Sequence, residues 1–144
     1  MSDDLLAQLH AAKLAGDPAS LGEMIPYARF LGVRLGLVDG VLTATLAYGP
    51  HLIGNPMLPA LHGGVIGAFL EHIALTHLMW DTETGVPKTI DITIDYLRSG
   101  RPVDTQGQAI ITKHGRRVAN VRAEAWHEDR AKPIAAMHGH FLLR

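Results

Sequence analysis

The sequence of 144 residues contains no cysteine. This absence excludes disulfide scaffolds, thiolate metal sites and cysteine nucleophiles. Long apolar runs are missing as well, because none approaches the roughly 18 residues that a membrane-spanning helix needs. Residues 1–6 carry Asp3 and Asp4 where a secretory signal would carry basic residues before an apolar run. These absences predict a cytoplasmic protein without a membrane partner.

Charge is sparse, with 19% of Asp, Glu, Lys and Arg together and a formal net charge of -1. A nucleic-acid surface needs a basic excess, so no nucleic-acid partner is predicted. The sequence also lacks the G-x-S-x-G elbow of serine hydrolases, the G-x-G-x-x-G dinucleotide motif and a Walker-type phosphate loop, and no cofactor is expected. Hydrophobic residues make up 47% of the chain, which is enough to bury the core of one domain of this length.

The N-terminal part of the chain has the pattern of short helices. Residues 3–15 form the first helical pattern, and residues 19–28 form a second one that Pro26 would bend or end. From Phe30 onward apolar and other residues alternate, which is typical of strands. We therefore expect two regions, a helical N-terminal extension over residues 1–29 and a main domain over residues 30–144.

The main domain combines several strands with one long helix. Asp39-Gly40 separates two alternating runs and predicts a hairpin. Residues 63–80 are apolar around most of the helical circumference, so this helix is expected to be buried on most sides. Four strand-like segments follow, and residues 89–96 alternate without a break. The economical arrangement is an α+β hotdog fold, in which a single curved antiparallel sheet of about six strands wraps around the long central helix.

The start of the long helix contains a pair of glycines that suggests a chemical role. Leu61 and His62 precede Gly63 and Gly64. Two glycines leave the first backbone N–H groups of a helix unshielded, and the helix dipole adds positive potential there. A developing oxyanion could accept those hydrogen bonds. Taken alone, however, the glycines are explained at least as well by a tight connection between loop and helix.

A single acid, Glu71, lies in the middle of this apolar helix. A lone buried carboxylate is costly and seldom occurs without a function. Its helical neighbours Gly67, Ala68 and Ala74 are small and would leave space above the carboxylate for a substrate. The alternative is that this helix face meets solvent or another subunit. The pattern alone leaves both interpretations open.

These residues resemble a known family. The segment 55–71, with His62-Gly63-Gly64 and an acid nine residues after the histidine, resembles hotdog acyl-CoA thioesterases of the phenylacetic-acid-degradation type, within the 4-hydroxybenzoyl-CoA thioesterase-like superfamily. Residues 89–98 are similar to the third strand of that family, and residues 115–119 are similar to the turn into its fifth strand. The similarity covers about residues 30–143, and it implies hydrolysis of an acyl-CoA to a free acid and CoA.

The resemblance implies a role for five residues. Glu71 would be the general base or the nucleophile, and the backbone N–H of Gly63 would polarise the thioester carbonyl. His62 would shape the start of the helix, and Thr89 would position the attacking water. Asn55 would lie near the substrate carbonyl, although the loop between it and His62 is one residue longer than is common in the family.

The resemblance also implies a homodimer or homotetramer whose active sites lie at a dimer interface. Gly64 is assigned to substrate binding next to Gly63. Four arginines at strand ends and turns are candidates for binding the phosphates of CoA, because arginine suits phosphate recognition. Ordinary surface charge explains any one of them equally well. They are Arg98, Arg101, Arg116 and Arg117.

Two other functions stay open. A hotdog hydratase or dehydratase would carry an acid in the loop over residues 51–61, and this loop contains none. A non-catalytic acyl-CoA-binding protein would have no need of Glu71. A metal site is not expected, although His138 and His140 share one strand face and His127 lies on the neighbouring strand.

Overall fold

The computed structural model describes residues 2–143 of the chain. The helices are α1 (Ser2–Ala15), α2 (Ala19–Met24), α3 (Pro26–Leu31) and α4 (Gly63–Asp81), and a short 3-10 helix spans Pro50–Leu52. The strands are β1 (Val33–Val38), β2 (Val41–Leu46), β3 (Ile53–Asn55), β4 (Ala60–Leu61), β5 (Lys88–Tyr96), β6 (Thr105–His114), β7 (Val118–Trp126) and β8 (Ala135–Leu142). No helix within residues 2–143 is both long enough and apolar enough to cross a bilayer.

The N-terminal region contains three helices where two were predicted. Pro26 takes the first position of α3 after an extended Ile25, because proline has no N–H to continue α2. Helix α3 continues to Leu31 and ends at Gly32 in the left-handed conformation, with φ of 85°. The prediction that strands begin at Phe30 is therefore wrong, since Phe30 and Leu31 belong to α3. The division into residues 1–29 and 30–144 stays a prediction.

Six strands form one antiparallel sheet in the order β1-β2-β6-β7-β8-β5. The predicted hairpin joins β1 to β2, and Asp39 and Gly40 have positive φ values of 50° and 77°, as a tight hairpin turn requires. Strands β3 and β4 form a separate small ribbon before α4. The predicted α+β class, the six-stranded antiparallel sheet and the long helix of the hotdog fold are confirmed.

Helix α4 packs on one face of the sheet and contacts β2, β5, β6, β7 and β8. Phe69, Leu70 and Leu78 are completely buried there. Gly107 on β6 lies on the sheet surface below the helix. A Cβ atom at Gly107 would overlap the side chain of Ile73 and lie 3.1 Å from Cε2 of Phe69. The missing side chain at Gly107 thus lets α4 approach the sheet closely.

We expect Gly107→Val to lower the free energy of unfolding by about 1–3 kcal/mol, because the added methyl groups force α4 away from β6. Gly36→Val on β1 is the matched control, since a Cβ at Gly36 meets no atom within 4 Å. Urea denaturation of both variants checks this expectation. Equal stability of the two variants would contradict the close packing of α4 on Gly107.

Candidate active site

The start of α4 is held by the side chain of His62. Its Nδ1 accepts a hydrogen bond of 2.9 Å from the backbone N–H of Gly64, and the N–H of His62 donates to the carbonyl of Leu52 at 2.9 Å. His62 therefore caps the helix, although serine, threonine, aspartate and asparagine are the usual capping residues. The N–H of Gly64 is occupied by this bond. The N–H of Gly63, the first residue of α4, has no acceptor within the helix, and none is found elsewhere in residues 2–143.

Strand β5 supports the same end of α4 through Tyr96. The Tyr96 hydroxyl donates a hydrogen bond of 2.7 Å to the carbonyl of Gly63. One turn further along, a Cβ at Gly67 would lie 2.9 Å from the Cδ1 atom of Ile94. The space that was predicted above Gly67 is thus filled by β5. Tyr96 was not predicted as a site residue, because its only signal in the sequence is its place at the end of the alternating run of β5.

Gly54, the residue before Asn55, brings β3 close to the start of α4. A Cβ at Gly54 would lie 2.7 Å from the Cα of His62, so β3 runs directly against the capping residue. Asn55 itself is exposed, and its Oδ1 accepts a hydrogen bond of 3.0 Å from the N–H of Met57. The NH2 group of Asn55 remains as the donor that could reach a substrate.

Glu71 lies two turns after Gly63 and is half-buried. It lines a cavity of about 190 Å³ between α4 and the N-terminal helices, together with Ala68 and His72. Within residues 2–143 its carboxylate makes no hydrogen bond or ion pair with another side chain or with the backbone. Ala74, by contrast, is fully buried in the core. The free space beside Glu71 is therefore on the side of Ala68.

His72, the next residue, is uncharged at neutral pH. Burial lowers its pKa from 6.5 to about 4, because the protonated ring would lose its hydration. Its Nε2 is buried without a hydrogen-bond partner in the described part of the chain. Burial likewise lowers the pKa of His77, while nearby Asp81 acts in the opposite direction. His72 thus gives Glu71 no neighbouring positive charge at pH 7.

A β-bulge in β5 decides where Thr89 points. Thr89 pairs with Phe141 and Asp91 pairs with His140, so Ile90 is an extra residue between two successive pairs of the ladder. The predicted unbroken alternation over residues 89–96 is therefore wrong at this position. Ile90 is 54% exposed, whereas the half-buried Thr89 shares the helix-facing side of the sheet with Phe141. No hydrogen bond joins Thr89 to Glu71 within residues 2–143.

The four candidate arginines lie at opposite ends of the sheet. Arg98 and Arg101 follow β5 at the end near the start of α4, and Arg116 and Arg117 lie in the β6–β7 turn at the other end. The Arg101 guanidinium binds both carboxylate oxygens of Glu128, at 2.8 and 2.6 Å, which holds the pKa of Glu128 below its ordinary value. Arg98 donates to a backbone carbonyl before β8. Arg116 and Arg117 are exposed, and neither side chain bonds another described residue.

Two of the three histidines that were considered as metal ligands have other contacts. His140 Nδ1 lies 2.7 Å from Asp91, and this hydrogen bond lowers the pKa of the Asp91 carboxyl. His127 Nε2 accepts a hydrogen bond of 2.9 Å from the backbone N–H of Arg101. His138 and His140 share the outer face of β8, as the alternation implied. Among residues 2–143 no three potential ligands cluster as a metal site would require.

Known proteins resemble this chain in sequence and in fold. The family model of the thioesterase superfamily matches residues 58–134. The medium/long-chain acyl-CoA thioesterase YigI of Salmonella typhimurium is 32% identical over 129 residues, which cover 76% of this chain and 83% of that protein. A crystal structure from Chromobacterium violaceum is 40% identical and covers 96% of this chain and 97% of its own, with a TM-score of 0.77. A phenylacetic acid degradation-related protein from Ralstonia eutropha shares the fold at 24% identity, with a TM-score of 0.71 over 82% of this chain and 90% of that one.

The burial of His72 predicts a specific pH dependence of stability. Below pH 6.5 the unfolded chain binds a proton at this residue, whereas the folded chain does so only near pH 4. Stability is therefore lost as the pH falls from 6.5 to 4, by up to about 1.4 kcal/mol per pH unit. Between pH 7 and pH 5, we expect the free energy of unfolding to fall by about 1–2 kcal/mol less in His72→Leu than in the wild type.

Urea denaturation at the two pH values measures this difference. The control is His114→Leu, because His114 is exposed at the end of β6, and this variant should keep the wild-type dependence. His77 is present in all three proteins, so its contribution to the pH dependence cancels in the comparison. An unchanged pH dependence in His72→Leu would contradict a buried, neutral His72.

Proposed function

The chain belongs to the thioesterase superfamily, and from this premise we propose that it hydrolyses acyl-CoA thioesters to a free acid and CoA. Membership confirms the family predicted from the motif at residues 55–71. The observation that carries the proposal is the position of Glu71, a half-buried and unpaired carboxylate beside an apolar cavity. It shares helix α4 with the free N–H of Gly63. A base and an oxyanion donor are the two groups that thioester hydrolysis needs.

In this proposal Glu71 takes a proton from a water molecule while the water oxygen attacks the thioester carbonyl carbon. The Gly63 N–H donates to the carbonyl oxygen as negative charge develops there. The C–S bond then breaks, and CoA leaves as the thiolate. Direct attack by the Glu71 carboxylate, which would form an anhydride that water then hydrolyses, needs the same two groups. His62 holds Gly63 in place by capping α4, and Tyr96 does so from β5.

The spacing of the two groups supports a site made by two copies of the chain. Glu71 follows Gly63 by eight residues, which is about 12 Å along a helix. One carbonyl group cannot lie about 3 Å from both positions. Two antiparallel copies of α4, related by a two-fold axis, would place Glu71 of one copy beside Gly63 of the other. We therefore propose a homodimer as the smallest active unit, alone or paired into a homotetramer.

The edge of the sheet offers a surface for this dimer. Strand β5 is an edge strand, and an unpaired edge favours pairing with another strand. Ile90, Tyr96 and Leu97 on or next to it are each more than half exposed. A two-fold arrangement brings the far end of one α4 to the start of the other. Arg116 and Arg117 at that far end are then better placed for CoA phosphates than Arg98 and Arg101, whose side chains are already bound within the chain.

The remaining site residues have supporting roles in the proposal. Gly64 contributes by lacking a side chain, because its N–H is bound to His62. Asn55 would contact the substrate carbonyl through its NH2 group, and Thr89 would hold the attacking water. The absence of an acid in residues 51–61 gives a hydratase reaction no support. The cytoplasmic location stays a prediction.

Replacing the carboxylate tests the catalytic role directly. We expect Glu71→Gln to lower kcat by at least about 100-fold, the usual contribution of a general base. KM should change less, because the carboxylate acts mainly in the transition state. Thr89→Ala should give a smaller loss, since it only positions water. Thiol release from a panel of acyl-CoAs measures both variants, with Glu23→Gln on the exposed face of α2 as control. A folded Glu71→Gln protein with full activity would refute the assignment.

A mixing experiment tests whether two chains share each site. Gly63→Pro removes the N–H that would bind the oxyanion, and proline is favoured at the first position of a helix. His62 already has the extended conformation, φ −62° and ψ 133°, that a following proline requires. We expect Glu71→Gln and Gly63→Pro chains to be inactive separately.

When the two chains are mixed after dissociation, half of the dimers should carry one intact site. A two-fold dimer contains two sites. One intact site in half of the dimers is a quarter of all sites, so the mixture should recover about a quarter of the wild-type activity. Light scattering at micromolar concentration should show at least a dimer. A fully active monomer, or a mixture without recovery, would contradict a shared site.

A further inference from the structure

Two cavities adjoin each other between α4 and the N-terminal helices. The inner cavity, of about 190 Å³, contains Glu71 on its wall. The outer cavity, of about 1000 Å³, lies between α1, the α2–α3 connection and the α4–β5 loop. Three residues line both cavities, so the two spaces lie on either side of these side chains. We call them the gap residues: Leu5, Ile25 and Val86.

The inner cavity is uncharged except at Glu71. Its other lining residues from α4 are apolar or neutral. The Thr76 hydroxyl is satisfied by the carbonyl of His72 at 2.8 Å, and His72 itself is neutral at pH 7 because burial lowers its pKa to about 4. The cavity therefore joins one carboxylate to an otherwise apolar space. An acyl thioester has the matching chemistry, with a polar carbonyl at one end of an alkyl chain.

We propose that the alkyl chain of the substrate extends from Glu71 through the inner cavity, passes the gap residues and ends in the outer cavity. This inference rests on the proposed thioesterase function and adds the path that the acyl chain takes between α4 and the N-terminal helices. It gives the N-terminal helices a role in specificity. The gap residues then determine how chains of different length are distinguished.

The dimensions of the inner cavity support this path. Along α4 its wall runs from Ala68 to Met79, and Glu71 lies about 12 Å before Met79 at the usual helical rise. A short acyl chain fits within that distance. A longer chain must continue past Leu5 and Ile25 into the outer cavity. Each additional buried methylene should strengthen binding by about fourfold.

The outer wall is tied to the rest of the fold. Lys13 on α1 donates a hydrogen bond of 2.7 Å to the carbonyl of Thr82 and reaches Glu83 at 3.4 Å. This contact holds α1 against the loop that carries Val86. Ile25 is held extended between α2 and α3 by the following Pro26. The gap residues thus come from three separate segments whose relative position is set by local contacts.

Filling the gap provides the test. Val86→Trp and Ile25→Trp should block the passage and leave the space next to Glu71 open. We expect kcat/KM for dodecanoyl-CoA to fall by at least about tenfold in both variants, the loss of two or more buried methylenes, while the value for butanoyl-CoA stays within about twofold. Ala7→Trp is the matched control, because Ala7 is exposed on α1 and lines neither cavity. Thermal denaturation shows that each variant is folded.

The outcomes separate this inference from the proposed function. Equal effects on both substrates, or no effect on either, would overturn the acyl-chain path while leaving thioester hydrolysis in place. A wild type that hydrolyses neither substrate would refute the proposed function. In that case calorimetric binding of dodecan-1-ol still decides, because an uncharged head group is not repelled by the Glu71 carboxylate. The path requires binding that weakens at least about tenfold in Val86→Trp and is unchanged in Ala7→Trp. Binding that is absent, or unaffected by Val86→Trp, would overturn it.

Discussion

Helix α4 is apolar around most of its circumference, and the burial of that surface governs the arrangement of the other elements. Phe69, Leu70 and Leu78 are completely buried, and each buried side chain of this size contributes about 1.5–3 kcal/mol. The sheet covers one side of the helix, and α1 and α3 contact another. The cover is incomplete along the strip that contains Glu71, where the inner cavity lies. The candidate catalytic carboxylate thus occupies the part of α4 that its own chain leaves open.

Much of the fold could be predicted because its signals are local. The period of α4 and the Asp39-Gly40 turn each depend on neighbouring residues, and both predictions are confirmed. Two features depended on more distant contacts. Leu31 fits a strand alternation as well as a helix face. In the structure it belongs to α3, where Leu31 and Ala28 are the buried residues. The bulge at Ile90 follows from pairing with β8, about fifty residues later in the chain.

In the candidate site, too, only the features with a local signal could be predicted. The motif around His62, Gly63 and Glu71 could be recognised because its members lie within ten residues of one another. The contribution of Tyr96 could not, since its hydroxyl binds a carbonyl 33 residues away. The N-terminal helices were expected to be an extension, and the structure shows Leu5 and Ile25 lining the cavity next to Glu71. Pattern alone does not reveal such a contact, because both residues would read equally well as ordinary core positions.

The central claim is that Glu71 of one chain and Gly63 of a second act on the same thioester. A crystal structure with a ketone analogue of dodecanoyl-CoA, in which a methylene between carbonyl and sulfur prevents hydrolysis, tests it most directly. We expect the ketone oxygen to lie about 3 Å from the Gly63 nitrogen of one copy. The Glu71 carboxylate of the other copy should face the ketone carbon, and the alkyl chain should lie between α1 and α4. A ketone bound away from Glu71, or held by Glu71 and Gly63 of a single chain, would show that two chains do not share the site.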